Sequence, residues 1–113
     1  MNNYYLIAII LKDCGYSSDA VSLIKKYNLP SKIVNITYAE KDKFKSDKIS
    51  TFPQIYLARN DAKGTLLIGG YHDLNDVVTT FYKKKVNNNI DIFMKKYNWS
   101  RKGILRLIEL INS

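Results

Sequence analysis

The chain has 113 residues, 46% of them hydrophobic, which is the size of one domain with enough apolar material for a core. No run of about 18 apolar residues occurs, and the start MNNYYLIAIILKDC lacks a basic n-region and a small-residue cleavage site, which argues against a membrane span and a secretory signal. The net charge of +8 is concentrated in the tail, where seven basic residues from Lys84 onward face two acidic ones; this permits contact with nucleic acid or acidic proteins, but lysine is also an ordinary solvating residue and no nucleic-acid partner is assigned. One cysteine forms no internal disulfide, so a reducing, cytoplasmic setting is the expectation.

Tyr4 to Leu11 is a short, nearly continuous apolar run, as in a central strand covered on both faces. The next stretch, LKDCGYSSDAVSLIKKYN, carries the single cysteine, Cys14, just ahead of an amphipathic pattern. Ser17, Ser18 or Asp19 can cap that helix, Ala20, Val21, Leu23, Ile24 and Tyr27 share its apolar face, and Leu29-Pro30 stops it. Ile33 to Tyr38 is rich in β-branched residues and reads as a second strand, joined through a right-handed crossover. Residues 39 to 48 are charged and predict a short surface helix. TFPQIYLA and GTLLIGG are two apolar runs separated by the turn chemistry of Asn60-Asp61 and Gly64, a hairpin pattern. Asp73 can cap a following helix that runs to about Lys84, with Leu74, Val77, Val78, Phe81 and Tyr82 inward.

Asn87-Asn88-Asn89 interrupts the pattern, and the chain is divided into a domain over residues 1–85 and a basic helical extension over 86–113. In the extension Ile90, Phe93, Met94 and Tyr97 recur at helical spacing. Ile104, Leu105, Leu107, Ile108 and Ile111 form a second stripe, which Ser100 can cap. Both are expected to pack on the domain or on each other.

A free cysteine is most often a buried apolar filler. Here it precedes a helix, where unpaired backbone N–H groups and the positive end of the dipole favour thiolate over thiol. Lys12 can add positive charge or be an ordinary exposed lysine at a strand end. Gly15 leaves room above the sulfur, and Tyr16 can shape one wall.

Four landmarks stand in order: CGYS at a strand-to-helix turn, TFP opening a later strand, GG closing the next, and HDL starting a helix. From about Tyr4 to Lys83 this resembles the glutaredoxin family, a branch of the thioredoxin fold. The resemblance implies an α/β fold with a four-stranded mixed sheet flanked by helices, followed here by a C-terminal helical extension. It implies a glutathione-dependent thiol–disulfide oxidoreductase of the monothiol type, since Ser17 stands where dithiol members have a second cysteine. Cys14 is then the nucleophile, and Ser17 either hydrogen-bonds the thiolate or caps the helix. Pro53 corresponds to the family's cis-proline. By the resemblance, Phe52 would offer its backbone N–H and C=O to the glutathione cysteinyl group with Thr51 flanking, and Gly69, Gly70, Tyr71, His72 and Asp73 would hold its γ-glutamyl end. Gln54, with Lys45 or Lys48, meets the glycine carboxylate. The implied partners are glutathione and glutathionylated or disulfide-containing client proteins. His72, the sole histidine, is a departure from the acidic or small polar residues common after the glycines; it reads as a surface residue, and no metal ligands are assigned.

Two other readings stand beside this one. CGYS shares its glycine and serine with the CGFS glutaredoxins, which bridge a [2Fe-2S] cluster between subunits with glutathione. Against that, the insertion common before the cysteine in that group is missing and Phe52 replaces its tryptophan. In the other direction, Lys12 lies two residues before Cys14 where glutaredoxins commonly place a lysine three before, a departure that bears on thiolate activation. A degenerate thioredoxin fold acting as an interaction module through the basic tail is the third reading.

Overall fold

The computed structural model describes residues 3–61, 63–83 and 89–113. The elements run β1 (Tyr4–Leu11), α1 (Gly15–Lys26), β2 (Ser31–Ile36), a 3₁₀ helix (Tyr38–Phe44), β3 (Gln54–Arg59), β4 (Thr65–Gly69), α2 (Tyr71–Phe81), α3 (Asn89–Tyr97) and α4 (Arg101–Ile111). The expected boundary between residues 85 and 86, and Asn87-Asn88, lie outside the described residues.

The strands form one mixed sheet in the order β2-β1-β3-β4, with β1 parallel to β2 and antiparallel to β3, and β3 antiparallel to β4. The β1–α1–β2 unit begins and ends as the sequence chemistry requires. Basic Lys25 and Lys26 sit in the last turn of α1, where cations complement the dipole. Asn28 takes a left-handed backbone (φ 52°), which asparagine tolerates, and the N–H of Leu6 on β1 then donates to the Pro30 carbonyl. That bond starts β2 at Ser31, two residues earlier than the β-branched pattern indicates.

Strand parity divides the sheet into two unequal faces. Leu6, Ala8, Ile10, Ile55, Leu57 and Ile68 point into one large buried cluster with side chains from all four α-helices. Ile9, Gln54 and Ala58 lie on the opposite face, where Gln54 Nε2 donates to the Phe44 carbonyl at the end of the 3₁₀ helix.

The extension joins the same core. Ile90 and Phe93 of α3 and Ile104, Leu107, Leu110 and Ile111 of α4 are buried, and the Phe93 ring meets Phe81 of α2 edge-on at 5.1 Å. Ser100 caps α4 as expected, its Oγ accepting from the Gly103 N–H at 3.0 Å. Gly103 permits the close approach of α4 to the hairpin, since a Cβ there would stand 3.0 Å from a Leu66 methyl. The sequence stripe is corrected at one position: Leu105 is 44% exposed, because the inward face of α4 runs through 104, 107, 110 and 111. None of the described helices is long and apolar enough to cross a membrane.

Candidate functional site

Cys14 is itself the N-cap residue of α1. Lys12 and Asp13 turn the chain out of β1, with Asp13 in the left-handed region (φ 63°), a conformation that aspartate reaches more easily than most residues. The helix therefore starts at Gly15, earlier than a Ser17, Ser18 or Asp19 cap would place it. The half-buried sulfur of Cys14 lies at the mouth of the first turn and donates to the Phe52 carbonyl at 3.7 Å. Phe52 stands outside the β1–β3 ladder, whose register begins at Gln54, and the Phe52-Pro53 peptide is cis.

Ser17 has neither of the roles considered for it. It is fully buried, and its Oγ accepts the Leu11 N–H at 3.1 Å, so it ties the first turn of α1 to the end of β1. That bond positions Cys14 without touching the sulfur. Lys12 is an exposed side chain whose backbone N–H donates to the Ile36 carbonyl. Gly15 is exposed, and a Cβ there would meet nothing within 4 Å, so the space above the sulfur is open.

The second wall comes from the β4–α2 junction. Gly69 has φ 130°, a backbone that favours glycine, and a Cβ there would collide with the Asp73 carboxylate. Gly70, not Asp73, is the N-cap of α2. Asp73, one turn in, reaches back so that Oδ2 accepts the Gly70 N–H at 2.9 Å. The turn is held from within, and the first N–H groups of α2 have no partner inside the helix, as in the first turn of any helix. Gly70 also approaches Pro53: its Cβ position lies 3.7 Å from the Pro53 carbonyl.

Between these walls is a groove of about 640 Å³, lined by Tyr16, the Lys48–Phe52 segment, Leu67 to Asp73, and Tyr97 and Trp99. Of the residues expected at the site, Tyr16, Thr51, Phe52, Gly69, Gly70, Tyr71, His72 and Asp73 line it together. Cys14 and Pro53 adjoin it through Phe52 and Gly70. Tyr16, Tyr71 and His72 form a contiguous ring cluster at the mouth, with centroids 5.1 to 6.3 Å apart. Gln54 does not line the groove: it is 1% exposed, and its amide is engaged by the Phe44 carbonyl and the Tyr56 hydroxyl. Of the two lysines considered, Lys48 lines the groove, while Lys45 is paired with Asp42 at 3.2 Å.

Sequence reasoning missed the contribution of the extension. Trp99 Nε1 donates to the Leu67 carbonyl of edge strand β4 at 3.1 Å, and the indole stacks on Tyr97 at 4.5 Å. The Tyr97 hydroxyl in turn donates to Asp76 of α2 at 2.7 Å, beside the Lys96 ammonium at 3.0 Å. The Tyr97 hydroxyl, and secondarily Lys96, hold the Asp76 carboxyl below the usual range, while burial and then Asp76 push the Tyr97 phenol up. Helical spacing puts Tyr97 and Trp99 near one another; nothing local in sequence puts them on β4.

Compared with known proteins, the chain matches no family model and no curated protein.

Proposed function

We propose that the protein is a monothiol glutaredoxin-like enzyme of thioredoxin-like fold, which uses Cys14 and glutathione to reduce protein–glutathione mixed disulfides. The observation that carries this reading is the juxtaposition of Cys14, at the start of α1, with the carbonyl of Phe52 ahead of cis-Pro53, at the edge of the groove.

The groove suits a zwitterionic tripeptide. Lys48 offers a cation for the glycine carboxylate, Phe52 offers backbone groups outside the strand ladder, and the start of α2 offers N–H groups for the γ-glutamyl carboxylate with the Asp73 carboxylate beside them for the ammonium. The reaction balances without a further cofactor. The Cys14 thiolate forms a bond to the glutathione sulfur while the client–glutathione S–S bond breaks, and the client sulfur leaves as a thiolate that takes a proton from water. The thiolate of a second glutathione then attacks the glutathione sulfur bound to Cys14. Oxidised glutathione leaves, and Cys14 departs as a thiolate. Gly15 keeps the approach to the sulfur open, and Ser17 and Asp73 fix the two helix starts on either side.

The test is turnover of a glutathionylated protein and of cysteinyl–glutathione mixed disulfide in the presence of glutathione. Both should be reduced by the wild type and neither by Cys14→Ser. Anaerobic incubation with iron, sulfide and glutathione separates this reading from the [2Fe-2S] carrier, which needs two Cys14 sites facing each other. The insertion before the cysteine and the tryptophan before the proline that go with the CGFS carriers are both missing from this sequence, where Phe52 precedes Pro53, so no stable coloured species is expected. A glutathione-dependent coloured dimer without disulfide turnover would overturn the proposal, and the absence of both activities would favour the interaction module.

A further inference from the structure

The Tyr71 ring is shared between two cavities. Besides lining the groove, it forms one end of a crevice of about 250 Å³ between α1 and α2. Leu23 and Tyr27 also line the crevice, together with the polar side chains Asp19, Ser22, Lys26, Asn75 and Thr79. Over the junction stands Tyr16, whose ring lies 6.3 Å from Tyr71 and 5.1 Å from His72. In another direction the groove is bounded by Tyr97 and the 5% exposed Trp99, stacked on each other and fastened to β4 and α2.

A mixed disulfide brought to Cys14 has two halves, and the groove accommodates one. The other half carries a polypeptide, which has to leave the sulfur along a path that is open and can satisfy backbone N–H and C=O groups. The α1–α2 crevice shares Tyr71 with the groove, so it begins at aromatic rings suited to packing against a side chain and runs between hydroxyl, amide, carboxylate and ammonium groups suited to a polypeptide.

We propose that the α1–α2 crevice is the docking path for the client polypeptide: the residues flanking the client cysteine pass over Tyr16 and Tyr71 and lie between Ser22 of α1 and Asn75 of α2. This rests on the reading of Cys14 as the nucleophile toward glutathionylated proteins. The crevice makes no bond to the reacting sulfurs. Its contribution is to the binding of the polypeptide half, so it distinguishes protein clients from small disulfides.

The test compares the full chain with Ser22→Trp, a substitution at an exposed position that fills the crevice. The substrates are cysteinyl–glutathione disulfide and a series of glutathionylated peptides with zero to eight residues on each side of the cysteine. For the wild type, kcat/KM is expected to rise about five- to tenfold as flanking residues are added, the size of effect that one or two well-packed contacts supply. In Ser22→Trp that rise should be lost through KM, with cysteinyl–glutathione turnover retained. Reversing the charge with Asp19→Lys is a second probe, expected to shift the preference among peptides of opposite flanking charge. Normal turnover of the small disulfide with no length dependence, or a length dependence untouched by Ser22→Trp and Asp19→Lys, would overturn the crevice alone. Failure to turn over even the small disulfide would overturn the reading of Cys14 and the crevice with it.

Discussion

Trp99→Phe separates the two things the indole does. The substitution keeps an aromatic ring in the core and removes the Nε1–H that donates to the Leu67 carbonyl at 3.1 Å. A lost hydrogen bond of this kind costs about 1 kcal/mol. The indole also covers more surface than a phenyl ring, by roughly 40 Å², and at about 25 cal/mol per Å² this adds about 1 kcal/mol, because Trp99 is only 5% exposed. The expected loss is therefore about 2 kcal/mol. With an unfolding entropy of about 2.1 cal/mol/K per residue, a chain of this length loses about 8 °C in Tm, read by far-ultraviolet circular dichroism because the variant has no tryptophan. Leu105→Ala on the exposed side of α4 is the control and should stay within about 0.5 kcal/mol. A Trp99→Phe shift under about 2 °C, or one no larger than that of Leu105→Ala, would refute the argument that this bond and this ring fasten the extension to the sheet.

The two glycines of the β4–α2 junction should behave differently. Gly69→Ala combines a strained positive φ with a collision at Asp73, and should destabilise by about 1–3 kcal/mol in denaturant titration. Gly70→Ala meets only ordinary contact and should be close to neutral in stability, whereas Gly70→Val should raise KM for the glutathionylated substrate more than it changes Tm, since its side chain enters the groove. The Tyr97–Asp76 contact supplies a pH signature. Asp76 is held below its ordinary value, so its contribution is complete above about pH 4 and is lost as pH falls through the native value; the Tyr97 phenol is held up, so its contribution is complete below about pH 10 and is lost as pH rises beyond it. The Tm difference between wild type and Tyr97→Phe should be level from about pH 5 to 9 and narrow on both sides of that window, and a difference that widens at either end would reverse the assignment.

The sequence carried the fold wherever a single element dictates its own surroundings. The apolar run of β1, the stripe Ala20-Leu23-Ile24, the paired runs of the hairpin and the Ser100 cap each follow from period, turn chemistry or a local hydrogen bond, and each is found where expected. The start of α1 was not legible in this way. Ser17, Ser18 and Asp19 are better caps than cysteine by side-chain chemistry, yet the helix begins before them because Ser17 is drawn inside to bond the Leu11 N–H. Gln54 shows the same limit. Its place after proline in the motif points to the groove, but the side chain is buried, and a buried amide takes partners where it finds them, here the Phe44 carbonyl and the Tyr56 hydroxyl.

The extension is where sequence reading was least complete, and the reason bears on function. An edge strand exposes unpaired backbone groups, and β4 is the edge strand that leads into the glycine turn of the groove. Trp99 meets one of those groups, the Leu67 carbonyl, while Tyr97 reaches α2 through Asp76. The extension thus covers a vulnerable edge and forms one side of the cavity with the same two rings. Stability and the shape of the groove are consequently coupled through residues that lie more than 80 positions from Cys14 in the sequence. A packed wall has a small number of discrete arrangements, so loosening it changes the shape of the groove as well as the free energy of the fold. The interaction-module reading treats the basic tail as an appendage free to recruit a partner. The burial of its apolar stripes against α2, β4 and the sheet leaves for that purpose the outer faces, charged apart from the exposed Ile92 and Leu105, and puts the aromatic pair Tyr97 and Trp99 in the wall of the groove.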